Sequence, residues 1–298
     1  MKRQLLSLTE QFDYPSEARE ALLSAWDSLM QSAEGQRAVE ALHRDYLQAP
    51  ETEGWIHRCE AVAALSPLPA YTTLQVLYLS LAPLLWEHYQ KRGLSHSLWF
   101  ETMLDLKYKL WECQAVKKIW GSFVAYWYDD FFRMKRFSFG RLQGEIQPFR
   151  FDSFREGDLI LKKGDPVINV HIPRTLTPLS PEECDESFRR AADFFAPQLK
   201  GNTAFVCNSW ILFPENETIL KPDSNVLLFR RRFHVLSTVY RDPDNLKDLW
   251  RIFDTETTDF SLLPENGSLR RNYKAHLLKG GRMGSSYGVF FYRALSDS

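Results

Sequence analysis

Two short stretches of this chain carry side chains able to do chemistry at the end of a strand. One is Asn169-Val170-His171-Ile172-Pro173, the other Cys207-Asn208-Ser209-Trp210. Histidine titrates near neutral pH, so His171 on the polar side of a strand end can take a proton from an amine. Asn208 and Ser209 bring an amide and a hydroxyl, groups that orient a substrate or hold a developing oxyanion. Cys207 becomes a nucleophile if His171 lowers its pKa. Plainer roles compete with each of these. His171 can be buried and hydrogen-bonded to its neighbours, and Asn208 and Ser209 can satisfy backbone groups where a strand ends. Strand alternation sets Cys207 beside Phe205 and Ile211, as a core thiol. The glycine-bearing run 280–288 leads into a strand and not a helix. Its glycines suit a flexible lid or cradle, but without the helix terminus that binds phosphate it reads rather as a loop before the last strand.

The elements around these residues are legible. Residues 165–173 alternate, with Ile168, Val170 and Ile172 on one face and Val167, Asn169 and His171 on the other. A helix follows: Ser180 is its N-cap, Pro181 its first residue and Glu183 the partner of a capping box. Cys184, Phe188, Ala191, Ala192 and Phe195 form one apolar stripe along it. Residues 203–213 are apolar apart from Asn208 and Ser209, which predicts a central strand. A strand–helix–strand unit with parallel strands opens a crevice at the strands' C-terminal ends, where both chemical stretches lie.

Elsewhere the pattern changes period once. Residues 1 to about 120 are helical in spacing, with helices predicted over 15–30, 36–47, 54–65 and 70–92 and another running from Ser95 or Ser97 toward Trp120. From Phe137 the chain alternates, and strands are expected over 139–149, 158–163, 233–240 and 289–294. Segments 217–220 and 223–230 look helical, with Asp223 as a cap. Segment 244–253 is a helix or a strand, and 269–278 is ambiguous. The aromatics of 119–139 either line a pocket or, the favoured reading, pack where two domains meet, since large rings bury the most area. These patterns predict an α+β chain, a helical bundle over 1–136 and a mixed sheet over 137–298.

Composition narrows the partners. Of 298 residues 44% are apolar and 14% aromatic, enough for a sizeable core, and the formal net charge is −1. Nucleic acids and membrane surfaces attract basic faces, so neither is expected as a partner; a small molecule is. The four cysteines, 59, 113, 184 and 207, have neither disulfide nor metal-ligand spacing, and no metal is expected. Their apolar settings fit a reducing, cytoplasmic compartment. The N-terminus lacks the features of a signal peptide. The most apolar segment, 70–86, falls short of the roughly 20 apolar residues that a spanning helix needs.

Taken together, Gly140-Arg141-Leu142-Gln143 with Glu145, Asn169-Val170-His171-Ile172-Pro173, the 180–195 helix, Cys207-Asn208-Ser209-Trp210 with Pro214, and Ser224-Asn225 resemble the GNAT-like C-terminal domain of bacterial acyltransferase-domain proteins. Those proteins pair it with a helical N-terminal domain. The resemblance implies a sheet whose two middle strands splay to admit the pantetheine arm of an acyl-CoA cosubstrate, here the strands ending at Pro173 and Pro214. It implies further that Ile172, Arg174, Thr175, Ser180 and Trp210 contact the cosubstrate. The pyrophosphate would lie over the helix begun by Ser180, gripped by Arg174, because residues 174–180 contain no glycine. The tyrosine acid of the wider family has no counterpart in 217–229. Three functions follow: an N-acyltransferase on a small amine, a Cys207–His171 thiol hydrolase, or a non-catalytic binding module on the same fold.

Overall fold

Apolar residues at helical spacing fold the first unit, Met1–Phe137, into a bundle. Its helices are α1 (Lys2–Gln11), α2 (Ser16–Met30), α3 (Ala33–Gln48), α4 (Trp55–Ala63), α5 (Ala70–Lys91), α6 (His96–Lys117) and the single turn α7 (Asp129–Phe132). The computed structural model describes residues 1–175, 177–199, 201–241 and 249–293. Helix α5 is apolar on nearly every side because it is the centre of the bundle, packed by α1, α2, α3, α4 and α6. The Ser95 hydroxyl starts α6 by accepting the Leu98 N–H at 3.2 Å. Several aromatics expected at a domain junction are bundle core instead. Tyr128 packs edge-on to Tyr78, Phe132 packs on Tyr46, and all four rings are buried.

The second unit, Ser138–Ser298, is a mixed sheet flanked by helices. Its strands are β1 (Arg136–Ser138), where one unit passes into the next, β2 (Gln143–Pro148), β3 (Ser153–Glu156), β4 (Leu159–Lys162), β5 (Pro166–His171), β6 (Ala204–Ser209), β7 (His234–Tyr240) and β8 (Gly284–Phe291). The helices are α8 (Pro181–Phe195), α9 (Asn216–Ile219), α10 (Asn225–Arg230), α11 (Trp250–Phe253) and α12 (Ser268–Leu278). Six strands run in the order β1-β2-β5-β6-β8-β7, and β3 with β4 forms a separate hairpin turning at Gly157, φ 58°. The α+β class and the order of helices before sheet are as the periodicity predicts.

Helix α8 covers one face of this sheet. The Ser180 hydroxyl accepts the Glu183 N–H at 3.3 Å, and all five predicted stripe residues are buried. Phe188 meets Phe205 at 4.8 Å and Phe290 at 5.1 Å. Burying a ring of this size contributes about 1.5–3 kcal/mol. The opposite face holds Phe149, Leu161, Val167, Val206, Tyr287, Val289 and Phe291, closed by Phe154 and Leu159 of the hairpin. A third cluster forms a cap from Ile219, Leu227, Ile252, Phe253, Tyr273, Leu277 and their neighbours.

Several local expectations are corrected. The strand predicted over 203–213 stops at Ser209, and residues Trp210–Leu212 make a 3-10 turn. Asn216 explains the stop: its side-chain amide donates to the carbonyls of Trp210 and Ile211, both at 2.9 Å, which removes them from any sheet. The glycine run expected as a loop enters β8 at Gly284. A Cβ on Gly288 would stand 2.8 Å from Phe233 Cβ and 2.9 Å from Leu212 Cδ1, so glycine there permits close packing. Segment 269–278 is helical, Ser224 rather than Asp223 caps α10, and β3 carried no recognised signal. Residues 244–248 of the predicted 244–253 element, and Ala294 of the last strand, lie outside the described residues.

Candidate active site

The sheet is divided in the middle. β2 keeps step with β5 over six residue pairs, from Gln143↔His171 to Pro148↔Pro166. β6 does the same with β8, from Ala204↔Phe291 to Ser209↔Ser286. Between these halves, parallel β5 and β6 are paired through Ile168↔Phe205 and Asn169↔Val206. Beyond that point Val170 and His171 on one side, and Cys207, Asn208 and Ser209 on the other, belong to strands but not to each other's ladder. The stretch past the end of this ladder, toward the C-terminal ends, is the wedge of the sheet, and its backbone groups can pair with an extended ligand.

On the sheet face away from α8, alternation lines up Gln143 and Glu145 of β2 with Asn169 and His171 of β5. The Glu145 carboxylate oxygen Oε1 lies 2.8 Å from His171 Nε2 and 3.0 Å from Asn169 Nδ2. Asn169 Nδ2 is also 3.1 Å from His171 Nε2. A carboxylate accepts only, so this contact assigns the imidazole N–H to Nε2 and leaves the basic lone pair on Nδ1. The group is sheltered but reachable: the side chains of His171 and Glu145 are 19% and 15% exposed. In the sequence Glu145 belongs to a motif that assigns it no role. The signal available was its place on the polar face of an alternating strand.

The other predicted residues have definite places. Register carries Val206 and Asn208 onto the same sheet face as Asn169 and His171, and Asn208 is exposed there. The Ser209 hydroxyl accepts the Ile211 N–H at 3.2 Å, capping the turn after β6. Trp210 packs on the cap cluster, 5.9 Å from the Tyr273 ring. Cys207 falls on the opposite face from His171, so the two do not form a nucleophile–base pair. Burial pushes its thiol up to about 12, and that of Cys184 up to about 11. A thiol held that far up stays protonated and unreactive.

Beyond β5 the backbone is held by Arg141. Its guanidinium donates to the carbonyls of Pro173 at 2.9 Å and Pro178 at 3.1 Å, while its own N–H donates to the Ser187 hydroxyl of α8 at 3.0 Å. Ile172 is half-buried. The Thr175 hydroxyl donates to the Thr177 carbonyl at 3.1 Å. Arg174 makes a bidentate pair with Asp254, Nη2 to Oδ2 at 2.7 Å. Ser180 caps α8, whose first turn also carries Glu182 and Glu183. Two carboxylates beside a helix N-terminus offset the attraction its dipole has for anions. Among the described residues no group of three or more His, Cys, Asp and Glu side chains is placed to hold a metal ion. No helix among them is long and apolar enough to cross a membrane.

Comparison with known proteins gives a consistent picture. The family model of the GNAT-like C-terminal domain matches residues 136–290, and that of the N-acyltransferase N-terminal domain matches residues 3–134. Among solved structures, an acyltransferase in complex with decanoyl-CoA and teicoplanin superimposes with a TM-score of 0.74 at 22% identity, over 96% of this chain and 87% of that one. An acyltransferase in complex with CoA and 10C-teicoplanin gives 0.74 at 21% identity, over the same shares of the two chains. Identity at this level establishes a shared fold. None of the curated proteins compared with the chain matches it.

Proposed function

The chain belongs to the GNAT-like C-terminal domain family, and from that membership we propose that it is an N-acyltransferase, moving an acyl group from acyl-CoA to the amine of a small-molecule acceptor. One observation carries the reading: β5 and β6 part after Asn169↔Val206, and His171, oriented by Glu145, stands on β5 just past the parting. Such a wedge suits the pantetheine arm, whose amides can pair with strand backbone as an added strand would. Structural neighbours bound to decanoyl-CoA and to teicoplanin support a CoA thioester as donor and a small molecule as acceptor. The four cysteines are free and buried, which fits action in a reducing compartment such as the cytoplasm.

In this mechanism the acceptor amine gives a proton to His171 Nδ1 and its nitrogen attacks the thioester carbon. Glu145 stabilises the imidazolium, and Asn169 holds Glu145. The Asn208 amide, exposed on the same face as His171, is the candidate to steady the oxyanion, because alternation turns Ser209 to the other face. The C–N bond forms, the C–S bond breaks, and the thiolate leaves to be protonated by the imidazolium or water. The test is release of free CoA from acetyl-, octanoyl- and decanoyl-CoA with a panel of amines. Turnover that falls by about a hundredfold or more in His171→Ala, with acyl-CoA binding retained, supports the reading. Absence of calorimetric heat with every acyl-CoA and with CoA would leave a binding module as the better account.

A further inference from the structure

The sheet face that carries His171 continues beyond β6. Register takes it from Asn208 of β6 onto Tyr287 of β8, and from Tyr287 onto Ser237 of β7. Arg150, just past the end of β2, lies over this part of the face. Its guanidinium carbon stands 3.8 Å from the centre of the Tyr287 ring and 5.1 Å from that of Phe151. Its Nη2 donates to the Ser237 hydroxyl at 3.3 Å. The two rings pack on each other at 5.2 Å and Tyr287 is 2% exposed, so the guanidinium rests on a firmly packed platform. Burial also pushes the Tyr287 hydroxyl up to about 12, which keeps it a neutral phenol and not a counter-ion. Arg150 is exposed, and the partners of its side chain among the described residues are these two rings and one hydroxyl. None is an anion. An arginine fixed in this way keeps its positive charge, and most of its donor fork, for a ligand.

We propose that Arg150 recognises the acceptor, holding its carboxylate while its amine lies at His171, so that the acceptor class is an amine with a carboxylate several bonds away. The inference rests on the acyltransferase reading and names its acceptor. The face carries a charge at each end. Glu145 beside His171 puts negative charge on the β2–β5 side, Arg150 puts positive charge over β8 and β7, and exposed Asn208 lies between them. A molecule with an ammonium at one end and a carboxylate at the other is complementary to that pattern. Neighbouring strands lie about 4.8 Å apart, so the two ends are separated by roughly 10 Å. An α-amino acid carries both groups on one carbon and is too short to reach both. A guanidinium fork meets both oxygens of a carboxylate at once, whereas an amide offers one neutral acceptor.

The test uses the whole chain and pairs of acceptors that differ only in the anion. CoA release from acetyl-, octanoyl- and decanoyl-CoA is followed with 8-aminooctanoate against 8-aminooctanamide, and with glycine against glycinamide. The long acid should show a kcat/KM about tenfold or more above that of its amide, the scale of a charge-assisted pair, and the difference should lie in KM. Glycine should show no such preference. In Arg150→Ala the ratio of acid to amide should fall to near one, and Arg150→Lys, a point charge without the fork, should keep only part of it. Calorimetry with the acetylated products, 8-acetamidooctanoate and 8-acetamidooctanamide, makes the same comparison without turnover. A wild-type ratio near one in turnover, or in its absence no acid-selective product binding, overturns the proposal. Arg150→Ala protein that loses acid and amide equally also overturns it, since that is the mark of a structural stack on Tyr287. Acid-selective binding in protein that binds neither CoA nor acyl-CoA refutes the acyltransferase reading and leaves the carboxylate site standing.

Discussion

Replacing Glu145 with Gln removes one charge and little else. The amide has the carboxylate's shape, and its oxygen can still accept from Asn169 Nδ2, now 3.0 Å away. What is lost is the attraction between carboxylate and imidazolium once His171 has taken the amine's proton. Two unit charges about 4 Å apart attract by about 4 kcal/mol at an effective dielectric of 20 and by about 1 kcal/mol in water. Side chains 19% and 15% exposed fall between these limits. A loss of about 2–3 kcal/mol converts to a fall in kcat of roughly 30- to 150-fold. The assay is CoA release at saturating acyl-CoA and amine. KM for acyl-CoA should hold within about twofold and the melting temperature within about 2 °C, because no packing changes. Glu145→Asp should recover part of the rate. If Glu145 acts through the imidazole, Glu145→Gln should add nothing to His171→Ala, a non-additivity that a structural role does not produce. A kcat within about threefold of wild type, or a loss confined to KM, would refute the dyad.

Three further outcomes are expected. Ser180→Ala removes the hydroxyl that accepts the Glu183 N–H, and should cost about 1 kcal/mol, read as a lower urea midpoint with an unchanged slope; an unmoved midpoint would mean that α8 does not depend on its cap. Burial holds the His43 imidazole down at about 4, against about 6.5 when unfolded. The unfolded chain then binds the extra proton in that window, so this contribution is full above about pH 6.5 and is lost as pH falls toward 4. It is worth at most about 3 kcal/mol, and urea titrations at pH 7 and 4.5 should show a smaller acid loss in His43→Gln; equal losses would contradict it. Finally, native protein at pH 7.5 should resist thiol alkylation at Cys184 and Cys207, whose thiols are pushed up to about 11 and about 12; rapid labelling of either would reopen thiol chemistry.

Much of the scaffold is written locally. Alternation across β5 separates Ile168 and Val170 from Asn169 and His171, and the structure keeps that division. Ser180, Pro181 and the apolar stripe start α8 and choose its buried face, because capping and amphipathicity depend on residues within a few positions of one another. The arrangement of helices before a mixed sheet follows from one change of period near Phe137. The local ends of elements were less legible. β6 stops at Ser209 because Asn216 claims the next two carbonyls, and β8 runs through the glycine stretch, where a Cβ on Gly288 would crowd Phe233 and Leu212.

What the sequence by itself determined is the set of elements and the face each presents. What only the tertiary structure decided is which side chains meet. Glu145 reaches His171 across 26 residues because β2 and β5 pair in one register and no other; a slip of one residue would turn Glu145 to the α8 face. Cys207 and His171 are kept apart by the same rule. Arg174 finds Asp254 across 80 residues, through a cap whose packing no local pattern announces. A side chain's type and strand parity are properties of a few neighbouring residues. Its partner is a property of the sheet order and register, which depend on contacts between distant parts of the chain.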